Sequence, residues 1–436
     1  MREFLEHAGS RIGKRRRHAS AVAAAAVAVA AVAVAVTIPV MAAAGAQSTS
    51  GAAREGGSWV TAWGASPVVG SAIPGSTCPA GVGLTNQTVR NVVFLSAGGA
   101  EVRIRLSNAF GTQAMQVGHA SVAVQGSGAS AVPGTVRELA FGGQQAVTLA
   151  AGGDALSDPV PLRVAALSTL LVSVYLPGPT GPVTNHPFTA QGNYLGSGDL
   201  ASSVTGTGYQ DTPCWMFISG VDVRAPSRVT GSVVALGDSI TDTANTTGNA
   251  NRRWPDDLAR RLNALDGPTL SVVNAGLGGN RLLAPRDGQP YYGVAALARV
   301  DRDVFTQAGV RAVILLEGVN DIGYGATADE IISAEQQIAT QAHARGLRIY
   351  GATITPFGGS FLFSPTSEKT RTEVNTWIKT SHTFDGVIDF AAAAANPSDP
   401  TALAPAYDSG DHLHPNDAGC QAMADAINLS MILGRR

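Results

Sequence analysis

The fold of this chain is constrained most by a change of hydrophobic rhythm near residue 225. Before it, short apolar-rich runs follow one another with almost no helical periodicity: Thr88 to Phe94, Glu101 to Leu106, Gln116 to Val124, Ala146 to Leu149 and Thr169 to Leu176. Several alternate with period two, and Gly, Ser, Pro and Asn clusters separate them, which predicts an all-β sandwich or jelly roll. After it, apolar strands at Val233 to Leu236, Leu270 to Val273, Ala312 to Leu316, Arg348 to Ile354 and Val387 to Phe390 alternate with helical stretches. Those stretches lie at Trp254 to Leu265, Val294 to Phe305, Ala328 to Arg345, Ser367 to Lys379 and Asn416 to Ile432. Near-continuous apolar strands alternating with helices predict a parallel sheet covered on both faces. The expected order is an all-β domain over 47–224, a link through Ala225, Pro226 and Ser227, and an α/β domain over 228–436.

The 436 residues leave room for two domains and a targeting segment. Only 14% of residues are charged and the basic cluster Lys14-Arg15-Arg16-Arg17 stands alone, so no nucleic-acid partner is expected. That cluster precedes an Ala/Val run from Ala19 to Val36 and the small-residue site Ala44-Gly45-Ala46, the pattern of an export signal over 1–46 cleaved before Gln47. An uncleaved membrane anchor is the alternative reading, and the residues after the arginines do not complete a twin-arginine signal. Cleavage implies a secreted product with no stable membrane span. Export places Cys78 and Cys214 where they could pair, while Cys420, on a predicted helix, reads as a buried small apolar residue. Three cysteines without a Cys-x-x-Cys give no zinc site, and no metal is expected.

In the β-rich part, Trp59, Trp63, Tyr194 and Trp215 could stack on a sugar, but the preferred reading places them in the core or the seam between domains. His119 and His186 have no ligand partners nearby in sequence and read as structural.

Ligands of a parallel sheet bind outside the carboxyl ends of its strands, so the residues just after each strand carry the most information about chemistry. The first strand runs into Gly237-Asp238-Ser239-Ile240, the second into Asn274-Ala275-Gly276-Leu277-Gly278-Gly279-Asn280-Arg281, and the third into Glu317-Gly318-Val319-Asn320-Asp321. After the last comes Asp411-His412-Leu413-His414-Pro415. A serine hydroxyl needs a base to become a nucleophile, and an imidazole with a pKa of about 6.5 suits that task. Ser239 is the candidate nucleophile, His414 the base and Asp411 the group that orients and charge-stabilises the imidazole. An oxyanion would be met by the N–H of Ser239, the N–H of Gly279 with Gly278 as the fallback, and the side-chain amide of Asn320. Asp238 is expected to brace the nucleophile turn through nearby backbone N–H groups, and Asp408 and Asp389 to be loop and strand-end residues.

These four ordered blocks resemble the SGNH hydrolases, or GDSL esterases and lipases, over about half of the chain. The family's Gly-Asp-Ser, Asn-x-Gly-x-x-Gly, Gly-x-Asn-Asp and Asp-x-x-His-Pro blocks correspond to Gly237 to Ser239, Asn274 to Gly279, Gly318 to Asp321 and Asp411 to Pro415. The resemblance implies a flavodoxin-like three-layer domain, a Ser/His/Asp mechanism without metal, and ester hydrolysis. Its Asp-x-x-His-Pro spacing selects His414 over His412. Ile240 replaces the leucine of the family name, and Thr241 stands where the last glycine of a Gly-x-Ser-x-Gly elbow would be, which argues against the ordinary lipase fold.

The substrate reading is a short-chain or carbohydrate ester, the β-rich domain tilting it toward sugar. A lipase or phospholipase is the alternative, with Phe357, Phe361, Leu362 and Phe363 in the loop from Pro356 to Ser367 as acyl pocket or lid, or as packing over the sheet edge. Two readings of other kinds are a secreted carbohydrate-binding protein without catalysis, and a glycosidase using Glu317 with Asp411. Nothing in the sequence indicates a cofactor.

Overall fold

A computed structural model describes residues 57–243 and 245–434, so the export-signal reading of 1–46 lies outside the described residues. The five parallel strands β1 (Val229–Gly237), β2 (Thr269–Gly276), β3 (Val310–Leu316), β4 (Arg348–Ala352) and β5 (Gly386–Ile388) form one sheet in the order β2-β1-β3-β4-β5. This is the flavodoxin-like order, in which the chain reverses direction of growth on either side of β1. Val233, Val234, Ala235 and Leu236 are all buried. Because consecutive strand residues point to opposite faces, both faces of β1 are covered. The register pairs Gly237 with Gly276 of β2 and with Leu316 of β3, so three connections leave the sheet side by side.

Nine helices accompany the sheet among the described residues: α1 (Ser239–Asp242), α2 (Trp254–Asn263), α3 (Ala296–Val300), α4 (Val319–Gly323), α5 (Ala328–Ala344), α6 (Pro365–Thr380), α7 (Phe390–Ala394), α8 (Asp417–Asp425) and α9 (Leu429–Leu433). α5 starts where Thr327 and Glu330 satisfy each other's backbone N–H groups, and α6 starts at Pro365 behind the Ser364 cap. α2 and α7 pack on α8, while α3 and α6 pack on α5.

The expected helix over Asn416 to Ile432 is two helices. Asn428 turns its side chain onto the N–H groups of Ser430 and Met431 and so starts α9 afresh. The stretch from Val294 to Phe305 is α3 followed by a wider π-helical turn over Asp301–Phe305. β5 ends at Ile388 because Asp389 caps α7, accepting from the N–H of Ala392.

The β-rich half is built of antiparallel sheets. In one, Trp59–Gly64 pairs with Ile218–Arg224, which pairs with Gly99–Ser107. In another, Thr169–Leu176 lies between Gln87–Phe94 and His119–Ser127. Val60, Val102, Ile104, Val221 and Val223 of the first share one core with Val89, Val122, Leu170, Val172 and Val174 of the second, which makes the half a sandwich. The run from Gln116 to Val124 is divided between Met115–Val117, paired with Val147–Leu149, and His119–Ser127. Between the two, the Gly118 N–H bonds to the Tyr175 carbonyl.

Cys78 and Cys214 form a disulfide, and Cys420 is buried with its thiol pushed up to about 12 by that burial. Trp63 and Trp215 are buried edge to face at 5.1 Å, while Trp59 lies under the Arg103 and Arg224 guanidinium groups and Tyr194 packs on Tyr209. Trp63 and Trp215 therefore fill the core, whereas Trp59 and Tyr194 are only half-buried. The seam between the halves is hydrogen-bonded: the hydroxyl of Ser271 in β2 donates to the Thr61 carbonyl, and the Val272 N–H donates to the hydroxyl of Ser96.

Candidate active site

Ser239 begins α1 at the carboxyl end of the central strand. Asp238 caps that turn, its Oδ1 accepting from the Ile240 N–H at 2.8 Å. Burial raises the Asp238 carboxyl above its usual range against the pull of that N–H and of His414. Across the rim, the chain before α8 folds around Asp411. Its Oδ1 accepts the N–H groups of Leu413 at 3.0 Å and His414 at 2.9 Å, and its Oδ2 accepts from His414 Nδ1 at 2.6 Å. Burial works against the Asp411 charge, but the His414 ring and these amides outweigh it and hold the carboxyl well below the usual carboxylate range. With Nδ1 donating to Asp411, His414 Nε2 is the acceptor, and it lies 2.8 Å from Ser239 Oγ.

His412, two residues away, takes a different partner. Its backbone lies at φ +62°, and its exposed ring bonds to Asp408 Oδ2 at 2.6 Å. Asp389 pairs with Lys379 and accepts from Thr353.

The loop after β2 is tied to α1 by Asn274, which donates to the Thr241 carbonyl and accepts from the Gly276 N–H. Gly279 then turns at φ +68°, where an added Cβ would fall 2.3 Å from the Tyr292 ring, so glycine is required there on both counts. Asn320, in α4, donates from Nδ2 to the Asn280 carbonyl at 2.8 Å and accepts on Oδ1 from Arg286 Nη2 at 2.6 Å. These two bonds fix the amide in one orientation and leave its second N–H free of them. Asp321 fastens the neighbouring loop through the N–H groups of Leu282 and Leu283.

Beneath the rim lies Arg299, fully buried, whose guanidinium donates to the carbonyls of Gly237 and Ala275 and to Asn280 Oδ1 at 2.8 Å each. Its Nη2 also lies 3.3 Å from Glu317 Oε1. Burial holds the Glu317 carboxyl well above its usual range, and Glu317 is only 1% exposed. It is sealed beneath the rim with Arg299, in no position to act with Asp411 on a sugar.

Ser239, His414, Gly279 and Asn320 line one cavity of about 190 Å³, together with Arg286 and Phe188. A larger cleft of about 700 Å³ around Ala225–Val229 holds none of these groups. The loop from Pro356 to Ser367 divides: Phe357 and Leu362 are buried in the core, whereas Phe361 is 83% exposed at the cavity rim. Arg286, which stacks over the Tyr292 ring at 4.2 Å, has no signal in the sequence, because it sits in an aperiodic Pro285-Arg286-Asp287-Gly288 turn. His186 has a partner after all, Asp242 of α1, its Nε2 lying 3.2 Å from Oδ2. His119 bonds to Asp199 at 2.8 Å and to Glu138 on the sandwich surface. Among the described residues, no group of three or more His, Cys, Asp or Glu is placed to hold a metal ion, and no helix is long and apolar enough to cross a membrane.

Residues 235–422 match the GDSL-like lipase/acylhydrolase family. Similar solved structures include a lipolytic protein of the G-D-S-L family from Desulfitobacterium hafniense, 20% identical over 45% of this chain and 97% of its own, with a TM-score of 0.35. An acylhydrolase from Bacteroides fragilis is 21% identical over 47% of this chain and 88% of its own, with a TM-score of 0.36. The aryl esterase of M. smegmatis is 16% identical over 45% and 95%, with a TM-score of 0.36. No curated protein matches the chain.

Proposed function

Because this chain carries a GDSL-like lipase/acylhydrolase domain over residues 235–422 and is a carboxylic ester hydrolase, we propose that Ser239, His414 and Asp411 are its catalytic triad. The observation that carries this reading is the unbroken relay from Asp411 Oδ2 to His414 Nδ1 at 2.6 Å and from His414 Nε2 to Ser239 Oγ at 2.8 Å. Ser239 Oγ attacks the ester carbonyl while its proton passes to His414 Nε2, and the Asp411 carboxylate stabilises the imidazolium. The tetrahedral oxyanion is met by the N–H groups of Ser239 and Gly279 and by the free N–H of the Asn320 amide, which Arg286 holds in orientation. Collapse expels the alcohol, which takes the proton from His414. A water then deprotonated by the same ring cleaves the acyl-enzyme and restores Ser239.

The substrate we infer is an ester whose cavity-bound group is small. A cavity of about 190 Å³ is close in size to one that holds a single benzene ring, roughly 150 Å³. The exposed ring of Phe361 at the rim offers apolar contact to whatever extends beyond. The disulfide between Cys78 and Cys214 supports export to an oxidising compartment, and secretion after cleavage before Gln47 is part of this proposal. N-terminal sequencing of material from the culture medium checks it.

Two substitutions test the chemistry. Ser239→Ala is expected to lower kcat on p-nitrophenyl acetate by roughly 10⁴-fold or more. An equal rate in that variant would remove the serine mechanism. Asn320→Ala is expected to lower kcat by about 10²- to 10³-fold with KM little changed, and an unchanged kcat would take Asn320 out of the oxyanion site.

A further inference from the structure

One wall of the catalytic cavity comes from outside the family-matched segment. Phe188 belongs to the β-rich half, yet its ring lines the cavity that holds Ser239. It stacks on Tyr292 at 5.9 Å with 19° between the planes and meets Tyr291 edge-on at 6.4 Å. It also lies so close to the glycine loop that a Cβ on Gly278 would stand 3.1 Å from its Cδ2. Its backbone is at φ +61°, and that of Ala190 at +46°. Bulky residues rarely adopt this conformation, which persists only where the surroundings over-determine it.

Here the surroundings act from both sides. Upstream, Thr184–His186 pairs with Trp215–Met216, which comes directly after the disulfide-bonded Cys214. The His186 ring donates from Nδ1 to the Ser66 carbonyl at 2.7 Å and sets Nε2 against Asp242, three residues beyond Ser239 in α1. Downstream, the Ala190 carbonyl accepts from the Asn249 N–H at 2.8 Å. Asn249 Oδ1 in turn accepts from the Gly192 N–H at 2.7 Å and from Gln191 Nε2 at 2.8 Å. The segment from His186 to Gly192 is thus stitched to the nucleophile helix at one end and to the loop after that helix at the other.

We propose that the β-rich half completes the active site, and that Phe188 is a specificity-determining residue that closes the cavity against long or bulky substrate groups. The inference rests on Ser239 being the nucleophile. A strained aromatic wall fastened to the helix that carries the nucleophile fixes how large a group can sit beside Ser239, on whichever side of the ester that group lies.

The test compares wild type with Phe188→Ala, Phe188→Leu and Phe188→Trp on two series, p-nitrophenyl acetate against octanoate and methyl against benzyl acetate. Each kcat/KM is expressed per Ser239 labelled by a fluorophosphonate, which counts competent molecules and allows for any variant that folds poorly. Phe188→Ala is expected to raise the large-to-small ratio by at least about tenfold in one series. Phe188→Leu should raise it less and Phe188→Trp should lower it. Ratios within about twofold of wild type in both series, with labelling intact, overturn the proposal. Absence of Ser239 labelling in the wild type would instead overturn the catalytic reading beneath it.

Discussion

The two halves of this molecule reach the same cavity by different physics. The α/β half delivers Ser239, Gly279 and Asn320 from adjoining strand ends whose register sets them abreast, so their relative placement is inherited from the sheet. The β-rich half delivers Phe188 on a short segment whose strained backbone is held by a disulfide-anchored strand on one side and by Asn249 on the other. Groups on strand ends are positioned by the fold itself. Groups on a strained loop are positioned by whatever holds the loop down. Substitutions on the rim of the first half should therefore cost chemistry, and substitutions in the Phe188 segment or its anchors should cost stability or selectivity.

The sharpest test of the chemistry assigned to the α/β half sets its two neighbouring histidines against each other. His414→Ala is expected to lower kcat by roughly 10⁴-fold or more. His412→Ala, which removes only a surface bond to Asp408, should leave kcat within about threefold of wild type. The opposite outcome would move the base to His412.

On the other side of the comparison, Cys78→Ser with Cys214→Ser opens a loop of sequence separation 136. It is expected to cost about 4 kcal/mol in chemical denaturation, while the rate on an acetate ester per labelled Ser239 changes far less. An unchanged denaturation midpoint would mean that the segment carrying Phe188 does not depend on the disulfide.

The smallest effect concerns pH. Glu335 of α5 is 2% exposed, its Oε2 has no hydrogen-bond partner among the described residues, and burial pushes its carboxyl up to about 8. The fold favours the neutral acid, so its contribution to stability is whole below the ordinary carboxyl range near 4.5 and is lost as pH rises through about 8. Glu335→Gln should flatten that decline and make the variant the more stable form above pH 8, by on the order of a few kcal/mol. A parallel decline in both proteins would place the pH dependence elsewhere.

Legibility in the sequence divides in the same way. β1 to β5 are legible because strands buried on both faces carry long apolar runs such as Val233 to Leu236, and the rim residues because a polar block after such a run has little to do in the core. Helix ends set by a single side chain were less legible. Asn428 divides a run whose apolar spacing reads as continuous. Phe188, Arg286 and Tyr292 lie in aperiodic segments, and nothing local marks them as cavity residues. His186 lacks a partner nearby in sequence because Asp242 is 56 positions downstream, and only the seam between the halves brings them together.

In the proposed mechanism Ser239, in a small cavity walled by both halves, carries the reaction. Labelling the wild-type enzyme with paired short- and long-chain alkyl fluorophosphonates and locating the adduct by mass spectrometry tests it most directly. The expected result is a single adduct on the peptide containing Ser239, formed faster from the short-chain reagent and accompanied by complete loss of esterase activity. An adduct on another residue, or esterase activity that survives full modification of Ser239, would contradict it.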